Sequence, residues 1–418
     1  MESPFKEYKQ FTNGKIQFQL NPTYVSYANT LRRLCMTHVE TVGFRADILE
    51  DGATSDVAVE ANSTPMTNEM LAHRFGLLPI NVKNPSAWDP EKYVFTLDVT
   101  NEDIDKAKDV FASDIKVMEK QGELNVHVPS SSFFPPNPIT RQTCLVATLK
   151  PMIPGGTPEE IRLKAKATVG IGRENARFIP TTQCAYKYTL DTNEANRKQV
   201  FDDWVIRSKM IKDPSSLETD AEKKAQLVRE FETLEINRCY LKDEKTGEPY
   251  SFDFVIESAG VLSPEYIVLR ACEMGASLCE KYTSTVFPDN LIVQESDSRF
   301  SAFDFFFQKE DHTLGNLIQT WIDAHKIDSG EVTFVAYDIP HPLRDEMVLR
   351  IGVADGKEAT ARSVLSEAMA SCQAMFRSWR DNWASLTNPI VASSQPVASA
   401  TTKPTKKKVV RLSAQSSS

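Results

Sequence analysis

The chain has 418 residues, 41% of them hydrophobic, and its 48 Lys and Arg are outnumbered by 57 Asp and Glu, for a net charge of −9. That length is too great for one ordinary core and predicts about two or three domains. The acidic total counts against a protein whose main task is gripping nucleic acid, though it leaves room for a local basic patch.

From the N-terminus, Lys15–Leu20 alternates, with Ile16, Phe18 and Leu20 on one face, the pattern of a half-buried strand. Asn21-Pro22 reads as the cap and first residue of a helix. Its apolar stripe is Val25, Ala28, Leu31 and Cys35, with Arg32 and Arg33 off that stripe. A further strand is expected over residues 39–49. Residues 50–186 read as strand and loop, with strands near 57–59, 93–99, 124–128, 144–149 and 162–169 and a short helix at 69–75. Residues 190–248 change character. Two charged helical stretches, 196–209 and 218–234, predict an exposed helical insertion.

Residues 251–257 alternate again as a strand. Ser263-Pro264-Glu265 opens a helix with a capping hydroxyl, a first-turn proline and an acid at the positive end of the dipole. Ile267, Ala271, Met274, Leu278 and Tyr282 recur along it at spacings of three and four. Residues 283–299 read as a connector. From Phe303 the plan restarts with an aromatic strand, a helix capped at Thr313 and strands over 332–337 and 347–353. The closing helix, over 358–383, carries Ala361, Val364, Leu365, Ala368, Met369, Cys372, Phe376, Trp379 and Trp383 on one stripe, which must bury against something sizeable. After Asn388 the composition turns to Ser, Ala, Thr, Lys and Pro, which predicts a disordered tail.

Each half thus has a strand, a capped helix, further strands and a long amphipathic helix. Weak repetition of this kind predicts two copies packed face to face. The residues expected to meet are Leu31, Cys35, Ile267, Ala271, Met274 and Leu278 from the first copy. Leu314, Leu317, Trp321, Leu365, Met369, Cys372 and Phe376 are expected from the second.

Several short words stand at the joints of this plan. They are Asn29-Thr-Leu-Arg-Arg33, Glu40-Thr-Val-Gly-Phe44, the Glu69 to Ile80 stretch with His73-Arg74, Val169-Gly-Ile-Gly-Arg-Glu-Asn-Ala-Arg177, and the residues from Phe252 to Gly260. In the second half come Phe303-Asp-Phe-Phe-Phe-Gln-Lys-Glu-Asp-His312-Thr-Leu-Gly-Asn316 and Tyr337-Asp-Ile-Pro-His-Pro-Leu343. In this order they resemble the larger and then the smaller alpha-like subunit of a multisubunit DNA-dependent RNA polymerase (the D/L, bacterial-alpha-like family), fused in one chain. The resemblance covers roughly residues 10–185 and 250–385. Such a fusion is similar to the arrangement in some large DNA viruses.

The resemblance implies an α+β fold of two alpha-like dimerisation modules paired within one chain, the first interrupted by a mainly β insert domain. Residues 1–45 and 186–285 would form the first module, 46–185 the insert, 286–300 a linker, 301–388 the second module and 389–418 a disordered basic tail. It implies a non-catalytic assembly platform that recruits the two largest, catalytic subunits and a small subunit, meets DNA and RNA only indirectly and touches no membrane. No cofactor is expected. Many larger alpha-like subunits hold a zinc through four cysteines in the insert, but residues 46–143 contain no cysteine, so that zinc is expected to be lost.

For the partner interface the resemblance points to Asn29, Arg32, Arg33, Glu69, His73, Arg74, Lys309, Asp311, His312 and His341. Each has a plainer reading. Arg32 and Arg33 fit a solvated helix face. Glu69 and His73 share a helix face, but the second histidine of a zinc-binding HExxH is missing. Asp311 or Thr313 fits a helix cap, and no nucleophile is set beside Asp311 and His312 for catalysis. His341, between Pro340 and Pro342, fits a fixed turn.

The sequence carries no signature of other chemistry. There is no GxxxxGK[ST] loop, and Gly170-Ile-Gly172 lacks the third glycine of a dinucleotide fingerprint. Seven cysteines form no CxxC pair, as in a reduced intracellular protein. The start lacks the apolar stretch of a signal peptide, and no run of about 18 apolar residues is present. A soluble intracellular protein is expected, in the host cytoplasm or nucleus or packaged in a virion. The basic run Lys403, Lys406, Lys407, Lys408 and Arg411 reads equally as an import signal, a nucleic-acid contact or a solubilising tail. The competing function is a standalone nucleic-acid-binding transcription regulator that uses this tail. A hydrolase or transferase comes third, for want of a nucleophile.

Overall fold

The structure, a computed structural model, describes residues 3–48, 55–122, 124–297 and 301–393. The first sheet draws on distant parts of the chain. Strands β1 (Phe5–Phe11) and β2 (Lys15–Leu20) form an antiparallel hairpin, followed by helix α1 (Val25–Thr37) and strand β3 (Glu40–Gly43). The chain then builds the insert through β4 (Val57–Asn62), α2 (Asn68–Gly76), β5 (Tyr93–Asn101), β6 (Lys108–Phe111), β7 (Lys116–Gln121), β8 (Leu124–Val128), β9 (Leu145–Leu149), β10 (Glu159–Ala165) and β11 (Thr168–Ile171). Strands β4, β10, β5, β7 and β8 form one sheet in that order, β6 pairs with β9, and β11 pairs with β3. Strand β12 (Thr181–Tyr188) returns to the first sheet, helices α3 (Glu194–Lys209) and α4 (Ala221–Glu230) form the charged insertion, and β13 (Phe252–Ser258) completes the order β1-β2-β13-β12. Helix α5 (Pro264–Glu280) follows. The second sheet has the order β14-β15-β17-β16, from β14 (Leu291–Glu295), β15 (Ala302–Gln308), β16 (Val332–Asp338) and β17 (Glu346–Val353), with helices α6 (His312–Ile322) and α7 (Glu358–Ser393).

Alternation accounts for the first sheet's buried face. Ile16, Phe18 and Leu20 sit opposite Ile256, Phe254 and Phe252, and all six are buried. The helix after β2 starts later than the Asn21-Pro22 reading predicts. The Asn21 amide donates to the Pro4 carbonyl and its side chain to Ser251 Oγ, and the Thr23 amide donates to the Tyr250 carbonyl. These bonds hold the chain to the sheet, so α1 begins at Val25 behind Tyr24, without a side-chain cap. Ser263 does cap α5, accepting from the Tyr266 amide, and Asp311 rather than Thr313 caps α6.

Other boundaries also differ. The stretch 162–169 is two strands in two sheets, and β12 straddles the expected junction at 185–186. The strand expected over 39–49 pairs only as far as Gly43 before running on to an isolated bridge at Ile48. The connector 286–300 contains β14, and α7 runs past residue 388 to Ser393. The basic run from Lys403 to Arg411 lies outside the described residues.

Among the described residues three apolar clusters form. One fills the insert, around Phe44, Phe75 and Phe95, and a small one sits in the charged insertion around Trp204 and Phe231. The largest joins the first sheet, α1 and α5 to the second sheet, α6 and α7 without a break. Its crossing point is Gly275. A Cβ there would lie 3.0 Å from Leu34 Cδ1 and 3.0 Å from the Phe376 ring, so α1, α5 and α7 meet where no side chain intervenes. Met274, expected on this stripe, is therefore only half-buried, and the other expected pairing residues are buried. At its far end α7 delivers Trp383 into the first sheet. Ring centroids lie 4.9 Å away for Phe5 and for Phe18 and 5.6 Å for Tyr8, and Trp383 Nε1 donates to the Glu265 carbonyl at 2.9 Å.

Trp383→Ala should therefore destabilise both halves together, by about 3–5 kcal/mol. Urea unfolding followed by probes in each sheet is expected to show one shared transition at a lower midpoint. Two separate transitions would show that the cluster is not one cooperative core.

Candidate functional site

A polar seam lies where three distant segments meet at the C-terminal end of α1. The word Gly-Ile-Gly-Arg supplies one of them. A Cβ on Gly172 would stand 2.1 Å from the Met36 carbonyl oxygen, so only glycine lets this turn abut α1. The approach places the Arg173 amide 3.0 Å from the Thr37 carbonyl and its guanidinium 3.2 Å from Asp345 of the second half.

Arg33 makes the second connection. Its Nε donates to Thr313 Oγ1 at 2.7 Å and its Nη2 pairs with Asp311 Oδ2 at 3.2 Å. Asp311 also caps α6 through the Thr313 amide at 2.7 Å. Burial alone would push the Asp311 carboxyl up, but the Thr313 hydroxyl and amide, with Arg33 and Arg173, hold it below the ordinary carboxylate range. Next to it Glu310 is 6% exposed, and burial raises its carboxyl despite Lys281, Arg173 and the bond from Tyr282. Lys281 Nζ stands 3.7 Å from Glu310 Oε1. His38 shares a 2.8 Å hydrogen bond with Thr37 Oγ1, and burial followed by the charge of Arg173 brings its imidazole down to about 4.

The expected interface residues are thus scattered. Arg33 and Asp311 come together in this seam, and with each other. The Lys309 amide donates to the Asp345 carbonyl at 2.7 Å from a left-handed backbone (φ 63°), leaving its side chain exposed. His312 is exposed, its ring edge-on to Tyr337 at 5.7 Å. His341 Nδ1 accepts from the Leu343 amide at 3.1 Å, which is the turn-fixing role. Asn29 Oδ1 accepts from Arg32 Nε at 3.1 Å. Glu69 and His73 are exposed on α2, and Arg74 donates to the carbonyls of Val146 and Leu145 within the insert. The sequence reading missed His38, Lys281 and Asp345. Only the tertiary contacts distinguish them from ordinary surface charges, whereas the Gly-Ile-Gly-Arg word did mark Arg173.

Chemically, the seam can hold segments together. Among the described residues no group of three or more His, Cys, Asp and Glu is placed to hold a metal ion, and no helix is long and apolar enough to cross a membrane.

Two family models match the chain, over residues 17–279 and 302–382, and both describe the RNA polymerase Rpb3/Rpb11 dimerisation domain. The chain is 26% identical over 293 residues to DNA-directed RNA polymerase II subunit rpb3 of Dictyostelium discoideum, covering 65% of this chain and 91% of that one. It is 24% identical over 332 residues to DNA-directed RNA polymerases II, IV and V subunit 3 of Arabidopsis thaliana, covering 70% and 92%. It is 29% identical over 188 residues to DNA-directed RNA polymerase subunit Rpo3 of Methanothermobacter thermautotrophicus, covering 43% and 60%.

The seam makes stability depend on pH. Folded His38 refuses a proton that the unfolded chain accepts once pH drops below 6.5, so its contribution is lost on acidification until the folded ring itself titrates at about 4. That loss is on the order of 3 kcal/mol. Glu310 acts in the opposite direction, because a carboxyl raised by folding binds its proton more readily in the folded state. The difference between wild type and His38→Gln isolates the histidine. Denaturation midpoints measured from pH 7 to pH 4 should fall more steeply for wild type, and parallel curves would refute the assignment. Arg33→Ala strips Asp311 and Thr313 of a shared donor and should cost about 1–3 kcal/mol in the same assay.

Proposed function

This chain belongs to the RNA polymerase Rpb3/Rpb11 dimerisation-domain family, and from that premise we propose that it is a self-paired assembly platform for a DNA-directed RNA polymerase. It is a structural component of such an enzyme rather than its catalytic part. The matched segments 17–279 and 302–382 act as the larger and smaller alpha-like halves of an intramolecular pseudo-dimer. The pair recruits the two largest, catalytic subunits and a small subunit, and meets DNA and RNA only through them.

The observation that carries this reading is the unbroken apolar cluster shared by the two segments, with Phe376 over Gly275 and Trp383 inside the first sheet. Two halves joined by chain cannot dilute apart, so the platform forms at any concentration. The insert around Phe44 and Phe95 has its own core, which fits a separate domain carried on the first half. It is read as zinc-free, because no cysteine occurs in residues 46–143 and Cys144 is exposed and alone. The fusion itself, a viral origin and a soluble intracellular site belong to the same proposal.

The test is gentle purification of the tagged chain from its natural cell, with mass spectrometry of what accompanies it. The two largest polymerase subunits are expected in stoichiometric amount. Recovery of the chain alone, or with nucleic acid only, would overturn the platform reading.

A further inference from the structure

We propose that a cleft in the charged insertion holds residues 406–412, the basic run near the end of the chain itself. Both partners lie outside the stretches that carry the resemblance, roughly 10–185 and 250–385, and the contact does not depend on the platform reading. The cleft has a volume of about 500 Å3, the size of a ligand site, and opens between α3 and residues 214–236. Its floor is apolar and incompletely covered. Phe231 is buried, whereas Phe201, Val228 and Ile236 are only half-buried. The insertion's own apolar cluster has six buried residues, a small core to which further burial would add stability. After α4 the chain makes a π-helical turn, Phe231–Glu235, of the kind that recurs at functional sites, and both Phe231 and Glu232 line the cleft.

Charge and composition choose the occupant. The cations of the lining are engaged within the insertion. Lys224 stands 2.6 Å from Glu218, Lys198 also faces Glu218, and Arg197 bonds to Cys239. Glu194, Asp202 and Glu232 line the cleft as well. They stand outside the ion pairs of the insertion, which among the described residues join Lys209 to Glu230, Lys224 to Glu218 and Arg238 to Glu235. A fitting occupant brings cations for these carboxylates and apolar side chains for the floor. Residues 406–412 read Lys-Lys-Lys-Val-Val-Arg-Leu, which interleaves both and contains no acid. The segment can also reach. Trp383 of α7 packs on Phe5, which is in register with Leu20, Phe252 and Tyr188 across the first sheet, about 15 Å in all. The insertion departs beyond Tyr188, where β12 ends. The turns of α7 after Trp383 add at most about 15 Å, and from Ser393 to Val409 a chain spans up to about 55 Å. Such a tether keeps the segment near the cleft at a local concentration that a free peptide lacks. A nucleic acid fits less well, since the same carboxylates repel phosphate.

The test uses the full purified chain with a photo-crosslinking benzoylphenylalanine in place of Ser215, an exposed residue of the cleft lining. Irradiation of dilute protein should join this position to residues 403–413 of the same molecule. Lys406→Glu, Lys407→Glu and Lys408→Glu together should cut that adduct roughly tenfold or more, and so should Asp202→Lys with Glu232→Lys. Combining the two sets should restore it, which a misfolded insertion could not do. The inference is overturned if the adduct is absent or joins a second copy, nucleic acid or another part of the chain. It is equally overturned if the adduct survives either set of reversals or is not restored by their combination.

Discussion

The contact on which the rest depends is the burial of α7 against the other half of the chain. This helix has 36 residues, about 54 Å of length at 1.5 Å per residue. Its middle stays with its own half, where Trp321 Nε1 of α6 donates to Ser371 Oγ at 2.9 Å. Its later turns leave that half. Phe376 lies over Gly275 of α5, and Trp383 is enclosed by Phe5, Tyr8 and Phe18. Without the first sheet, both large side chains would face water, at a cost of a few kcal/mol each. Neither half therefore presents a finished surface by itself.

The polar seam follows from that apolar contact. Once α7 and α5 bring the two sheets together, the end of α1 comes to rest against the β15–α6 turn, and the charges there must be matched. Arg33 reaches Asp311, Arg173 reaches Asp345 and Lys281 reaches Glu310. Pairs of this kind contribute little where they remain wet. The half-buried position of His38 and the buried one of Glu310 matter more, because burial penalises their charged forms and so couples the seam to pH. The insert takes part as well, since Arg173 stands in the turn by which the chain leaves β11.

Much of this was legible from residue order. The stripe on α7 required a large apolar partner, and alternation at Ile16, Phe18 and Leu20 foretold a strand buried on one face. Local rules failed where the strand owes its existence to a neighbour. Strand β1 buries only Phe5 and β12 buries only Thr181, so neither shows a period-two apolar pattern, and pairing with β2 and β13 makes them strands. Asn21-Pro22 has the composition of a helix start, yet bonds to Pro4 and Ser251 outcompete capping. At the site, Arg33 was identified by its place in a word, but its partner was not. An arginine off the apolar stripe looks the same whether it awaits another protein or turns back to its own chain 278 residues away.

The amino-acid order alone determined that there are two related halves, which helix faces are oily, and where α5 begins, because periodicity and capping act over a few residues and are written locally. It did not decide how the halves meet. That Gly275 rather than Met274 is the crossing point, that Gly172 brings Arg173 against α1, and that Arg33 is consumed while Arg32 is not, depend on backbones approaching within a few ångströms across hundreds of residues. Such approaches arise from the packing of whole elements, and no short window of sequence contains both partners.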